Sequence, residues 1–260
     1  MSLLPTFTLL GSGPTVLMLH GADGGHLTFA PQLEALASTG YRAVAWEMPG
    51  YGHSAPVEPY VLASLAKRCM LLIEALDCAP LALVGHGLGA TLALDIALRL
   101  PEQVERLVLC AGGPPLDAPA LAAWQTPRER ALAAGMSMQD IARLLVPHST
   151  GSKALPEGVN LAEHALSQVH RATYARAVRA ISESPPRSAA EFQRIAAPML
   201  LLGGADDRVA TPEWLDRFAH LVPGTRRLNL QGVGHWPQLE APDAFNTGLL
   251  QFLAEPKIVH

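Results

Sequence analysis

The stretch LALVGHGLGATLAL at residues 81–94 restricts the possible folds more than any other part of the chain. Leu81–Val84 is an uninterrupted apolar run, short enough for a strand buried on both faces. Leu88–Leu100 then carries small and apolar residues at helical spacing. Between them lies Gly85-His86-Gly87-Leu88-Gly89, a turn whose glycines let a strand and the next helix approach closely. A buried strand that feeds straight into a helix is the repeating unit of a parallel sheet, because parallel neighbours need a long crossover connection.

The same alternation extends to both sides. Thr6–Leu10 and Val16–His20 are apolar runs separated by Gly11-Ser12-Gly13-Pro14, which reads as two strands joined by a turn. Phe29–Ser38 has helical spacing and stops at Gly40; Arg42–Trp46 is a strand, followed by the turn-rich Pro49-Gly50-Tyr51-Gly52. Ala63–Leu76 aligns Leu65, Cys69, Leu72, Ile73 and Leu76 on one helical face, and Arg106–Cys110 is a further strand. From Gly112 the rhythm breaks. Pro114, Pro115, Pro119 and Pro127 punctuate the chain, and helical segments run to about Ile195 with no strand between them. Met199–Leu202 and Arg226–Leu230 resume the sheet, and Ala241–Leu253 is a last helix. The expected architecture is α/β: a mostly parallel central sheet with helices on both faces, formed by residues 1–112 and 194–260. Residues 113–193 are expected to be an α-helical lid inserted over the C-terminal edge of that sheet.

A chain of 260 residues suits one large domain, and 49% apolar against 16% charged residues suffices to fill its core. A formal charge of −4 leaves no basic footprint for nucleic acid and no polybasic membrane anchor. No apolar run approaches the roughly 20 residues needed to span a bilayer. The opening MSLLPTFTLLGSG lacks the charged region and cleavage site of a secretory signal. Cys69, Cys78 and Cys110 are an odd set without metal spacing, which fits reduced thiols in a cytoplasmic protein. Nothing in the sequence reports the oligomeric state.

Leu83-Val84-Gly85-His86-Gly87-Leu88-Gly89-Ala90 is one side chain away from the G-x-S-x-G nucleophile elbow, with Gly87 at the serine position. Other pieces accompany it in order: His20-Gly21-Ala22, Met48-Pro49-Gly50-Tyr51-Gly52-His53-Ser54, Gly204-Ala205-Asp206-Asp207 and Gly234-His235-Trp236. Together, over nearly the whole chain outside the lid, they resemble the α/β-hydrolase fold superfamily, although Glu47 stands where that family usually has aspartate. The resemblance implies hydrolysis of a small, largely apolar ester or lactone through a Ser-His-Asp-type site, without cofactor or metal. It implies His235 as general base and acid, and Asp207 as the carboxylate that holds its tautomer. It also implies the backbone N–H groups of Ala22 and Leu88 as the oxyanion hole. Asp206 is the rival acid, since a G-x-x-D frame starting at Gly203 also fits. Asp207 is preferred because Thr211, four residues on, falls where the family usually has proline.

The nucleophile does not transfer. Gly87 has no side chain, so no acyl-enzyme can form on it. In a protease that uses the same triad logic, losing the serine costs about 10⁶ in turnover. Three readings compete: an engineered Ser→Gly change that traps substrate or product, a natural variant in which His235 activates water directly, and a binding protein that has lost the chemistry. The first is favoured because acid, base and both oxyanion elements are in place. Gly87 also argues against dehalogenase or epoxide hydrolase chemistry, which needs a carboxylate at the elbow.

A reading from another class remains open. Gly85-His86-Gly87-Leu88-Gly89-Ala90 satisfies the G-x-G-x-x-[G/A] dinucleotide fingerprint between a strand and a helix. Against it, Arg106–Cys110 ends without an acidic residue for the ribose, and at least three strands precede the motif.

The expected substrate-pocket residues are His26, Cys110, Trp124, Met136 and Trp236, with core packing as the competing role for Cys110 and Trp236. Cys110 is also weighed as a substitute thiol nucleophile. Met138 and Tyr174 join Trp124 and Met136 as a candidate apolar roof. His20, His53 and His86, beside glycine turns, read as structural. Cys69 reads as core, and His148, His164 and His170 as surface positions.

Overall fold

The computed structural model describes residues 4–114, 118–184 and 187–256. Pro115 and the first three residues of the N-terminal stretch therefore lie outside the described residues. Seven strands form one sheet: β1 (Phe7–Leu10), β2 (Thr15–Leu19), β3 (Arg42–Trp46), β4 (Leu81–His86), β5 (Val104–Cys110), β6 (Met199–Gly204) and β7 (Arg226–Leu230). Their order is β1-β3-β2-β4-β5-β6-β7, with β1 antiparallel to β3 and every other pair parallel.

Side chains alternate across each strand, and the alternation sorts the core into two layers. Leu17, Leu83, Leu107 and Leu201 face α2 (Leu62–Ala75), α3 (Leu88–Arg99) and α9 (Pro212–Leu221). Val16, Val84, Val108 and Leu202 face α1 (Ala30–Ser38) and α11 (Pro242–Leu253) on the other side. Strand β4 is buried at every position, which is why its sequence shows no polar alternation.

The chain leaves β2 for β3 on one side, then crosses by α2 to β4 on the other. The loops leaving the C-terminal ends of β2 and β4 diverge at that reversal, and the crevice between them is where open α/β sheets hold ligands. Between β5 and β6 lie α4 (Ala118–Ala133), α5 (Met138–Ser149), α6 (Pro156–Ser167), α7 (Arg171–Ser182) and α8 (Ala189–Phe192), with no strand among the described residues.

Four details depart from the expectations. Pro119 and Pro127 do not break the chain but sit within one helix, α4. A 3-10 turn, His26–Phe29, precedes α1. Helix α9 was not anticipated, although its start is written in the sequence: Thr211 caps Trp214 N at 3.3 Å, Pro212 follows, and Glu213 lies in the first turn. The short α10 (Pro237–Glu240) is a further addition before α11. Among the described residues no helix is long and apolar enough to cross a membrane.

Candidate functional site

Gly87 joins β4 to α3 with φ +53° and ψ −117°, a strained combination for a residue with a side chain. The three glycines of the turn differ in what they need. A Cβ on Gly85 would lie 2.2 Å from the carbonyl oxygen of Gly89, and one on Gly89 would lie 1.9 Å from that of Leu19. Packing therefore obliges both to be glycine. A Cβ on Gly87 would meet only the Gly21 Cα, at an ordinary 3.6 Å. Position 87 has the backbone of an elbow and room for the side chain it lacks.

Two buried histidines hold the peptides around this point. His20 Nδ1 donates to Gly21 O at 2.8 Å, while its Nε2 accepts from Met48 N at 3.0 Å. These partners require the neutral ring, and burial lowers the pKa of His20 accordingly. The Gly21–Ala22 peptide is held from its carbonyl side, and Tyr51 Oη donates to Ala22 O at 2.9 Å. Leu88 opens α3, so its N–H lies in the first turn, where amides have no intrahelical acceptor. His86 Nε2 donates to His235 O at 2.8 Å, and burial pushes its pKa down to about 3.

The loop after β6 carries the two aspartates, and the loop after β7 carries His235. His235 Nδ1 lies 3.1 Å from Asp207 Oδ2, with both side chains buried. Asp207 Oδ1 accepts from Val209 N at 2.7 Å and Ala210 N at 3.1 Å, so the carboxylate is held from its far side as well. Asp206 turns away and accepts from Ser152 N and Oγ, each at 2.8 Å.

His235 and Gly87 share the wall of a cavity of about 540 Å³, its open mouth included. Among the described residues, Thr91 and His235 are the polar side chains on that wall; the rest is Leu88, Leu121, Trp124, Ile181, Val209, Trp214 and small residues. The wall carries no cationic side chain of lysine or arginine among the described residues.

Of the expected pocket residues, Trp124 lines this cavity. Cys110 does not: its register on β5 turns the thiol into the opposite core layer. There Cys110 Sγ donates to Gln238 Oε1 at 3.5 Å, and burial raises its pKa well above the ordinary thiol value, so it is no substitute nucleophile. His26 instead hydrogen-bonds Glu47 and lines a separate cavity with Tyr51 and Gln168. Met136 packs against the core, and Trp236 is buried edge-on to the His235 ring, with centroids 5.2 Å apart. Tyr174 is buried, but its hydroxyl makes a polar contact instead of forming an apolar roof.

That contact belongs to a cluster the sequence does not announce. Asp23, next to Ala22, receives Arg128 Nη2 at 2.5 Å, Arg128 Nε at 3.2 Å and Tyr174 Oη at 2.7 Å. All three residues are buried, and the Arg128 guanidinium also lies 4.4 Å over the Trp124 ring. The loop after β2 is thereby tied to α4 and α7. Cys69, Cys78 and Cys110 are free thiols, and among the described residues no group of His, Cys, Asp and Glu could hold a metal ion.

The sheet order, the turn at Gly87 and the Asp207–His235 pair define one class of protein. The chain belongs to the alpha/beta hydrolase family, whose sequence profile matches residues 16–247. It is 29% identical over 254 residues to BpoC of Mycobacterium tuberculosis H37Rv, which carries the name of a non-heme bromoperoxidase; the match covers 95% of this chain and 96% of that one. The BpoC crystal structure superposes with a TM-score of 0.85, at 27% identity over 98% of this chain and 97% of that one. The 2-hydroxy-6-oxononadienedioate/2-hydroxy-6-oxononatrienedioate hydrolase of Escherichia coli K12 is 27% identical over 255 residues, 93% of this chain and 88% of the relative. The enol-lactonase of Burkholderia xenovorans LB400 shares the fold, with a TM-score of 0.84 at 24% identity over 96% of each chain.

Proposed function

We propose that the cavity above Gly87 is a hydrolytic site for a small, largely apolar ester or lactone, built on Ser-His-Asp logic but without a nucleophilic side chain at position 87. The observation that carries this reading is the contrast among the glycines: Gly85 and Gly89 are packed against backbone, whereas Gly87 keeps an open side-chain position beside Gly21. In this reading His235 moves the proton, Asp207 holds its tautomer and stabilises the imidazolium, and the Ala22 and Leu88 amides receive the developing oxyanion. The glycine spacing is accounted for by packing against Leu19 and Gly89, which supports an elbow over a dinucleotide loop.

Residues 113–193 act as the lid, since Leu121, Trp124 and Ile181 from that stretch close the cavity. The apolar wall favours a neutral substrate: a dicarboxylate of the kind named for the E. coli relative would find no arginine or lysine among the described residues that line it. Buried free thiols support a cytoplasmic setting.

The test is Gly87→Ser, assayed with short-chain p-nitrophenyl esters and a lactone panel. Turnover rises by several orders of magnitude, on the scale of the roughly 10⁶ lost when a triad serine is removed elsewhere. An unchanged rate removes the disarmed-site reading. The intact Asp207–His235 hydrogen bond beside an open position also suits direct activation of water by His235. On that route the Gly87 protein is already active, and His235→Ala abolishes the activity.

A further inference from the structure

A second carboxylate serves His235 without touching its ring. Glu240 closes α10 and is 1% exposed. Its Oε1 accepts from Trp236 N at 2.9 Å, and its Oε2 accepts from Gly234 N at 2.7 Å and Gly151 N at 2.8 Å. Gly234 and Trp236 flank His235, so one side chain holds a peptide on each side of the imidazole's residue. The third amide belongs to the turn between α5 and α6, and that turn grips the same loop. Ser149 O accepts from His235 N at 2.8 Å, and Lys153 N donates to Gly232 O at 2.7 Å. Asp206 secures the other flank of the turn through Ser152.

We propose that Glu240 is a positioning residue for the His235 imidazole, acting together with the turn at residues 149–153. The proposal rests on reading His235 as the general base. Asp207 fixes only one nitrogen of the ring; where the ring projects is set by the backbone torsions from Gly234 to Trp236. Those torsions are set by amides that would otherwise be buried donors without acceptors. A carboxylate suits the place because it offers two oxygens and no donor. A glutamine there would keep one acceptor oxygen and turn an NH₂ group toward a backbone N–H, leaving a buried donor unsatisfied. The loop then relaxes, and misplacing a catalytic group by about 1 Å costs on the order of a hundredfold in rate. The expectation that residues 113–193 form a lid is refined accordingly: the 149–153 turn belongs to the frame of the base rather than to a moving cover.

Glu240→Gln tests this with a readout that needs no turnover. In the Gly87 protein the Nδ1 proton between His235 and Asp207 gives a downfield proton NMR resonance. Glu240→Gln is expected to broaden that signal or move it upfield, and Glu240→Asp, which keeps the acceptors on a shorter stem, to give an intermediate shift. In a Gly87→Ser background, Glu240→Gln lowers kcat by about ten- to a hundredfold while KM stays within about twofold. A folded Glu240→Gln protein with an unmoved resonance overturns the proposal. If Glu240→Gln does not fold, Glu240→Asp decides by the same signal: moved supports, unmoved overturns. If Gly87→Ser proves inactive, the hydrolase reading fails on its own and the resonance still rules on Glu240.

Discussion

Replacing Arg128 by methionine isolates what the buried cluster behind Ala22 contributes. Arg128→Met keeps a flexible apolar stem but removes the guanidinium that gives Asp23 two of its three side-chain hydrogen bonds. Asp23 is 4% exposed, so its charge cannot turn to water. Removing one partner of such a pair costs about 3–5 kcal/mol. For a chain of 260 residues the unfolding entropy is about 0.5 kcal/mol per kelvin, so the melting temperature falls by about 5–9 °C. The pH dependence is the sharper signature. Burial alone would raise the Asp23 pKa, but the charge and hydrogen bonds of Arg128 and the Tyr174 hydroxyl outweigh it and hold the carboxyl below its usual range. A depressed carboxyl contributes stability at pH values above its unfolded pKa of about 3.9, and that stability is lost as pH falls through the folded value. Without Arg128 burial dominates, the folded pKa moves above the unfolded one, and the sign reverses. The deficit of Arg128→Met should therefore narrow between pH 7 and pH 5, read from urea unfolding by circular dichroism. Asp23→Asn combined with Arg128→Met should recover most of the loss. A cost below about 1 kcal/mol, or a deficit that ignores pH, refutes the account.

Two further outcomes follow from the same physics. Gly89→Ala drives a Cβ to 1.9 Å from a β2 carbonyl, so it should cost about 3 kcal/mol or more, whereas Gly87→Ala meets no overlap and should cost about 1–2 kcal/mol of backbone strain. Equal urea midpoints for the two variants would contradict the packing contrast. His86, held near a pKa of about 3, binds no proton in the folded chain over a range where the unfolded chain does. Stability should thus fall as pH drops below about 6.5, by up to about 1.4 kcal/mol per unit for this group, with His20 adding in the same direction. His86→Gln should flatten the slope of unfolding free energy between pH 6.5 and 4; an unaltered slope would assign it to other groups.

The strands and most helices were readable because burial periodicity is a local property of the chain. The stretch from Leu81 to Leu100 shows it plainly: an all-apolar strand, a glycine turn and a helix of small residues leave few alternatives. Pro119 and Pro127 misled in the opposite sense, since the start of a helix tolerates proline and tertiary packing can retain one further in. Helix α9 was missed although Thr211-Pro212-Glu213 is a helix-start signal, because the expectation followed the strands on either side.

The amino-acid order alone determined the fold class, the place of the elbow and the absence of a side chain at its centre. Burial periodicity and the glycine spacing of a tight turn run over a few residues and leave a trace in the local pattern, even where the atom that demands the glycine, such as the Leu19 carbonyl at Gly89, comes from a distant strand. The tertiary structure decided which aspartate meets His235, which layer receives Cys110, and that Asp23, Arg128 and Tyr174 form one buried cluster. These outcomes depend on strand register and on charges separated by more than a hundred residues in sequence. Such groups are paired only when packing removes them from water together, and no short-range pattern records that.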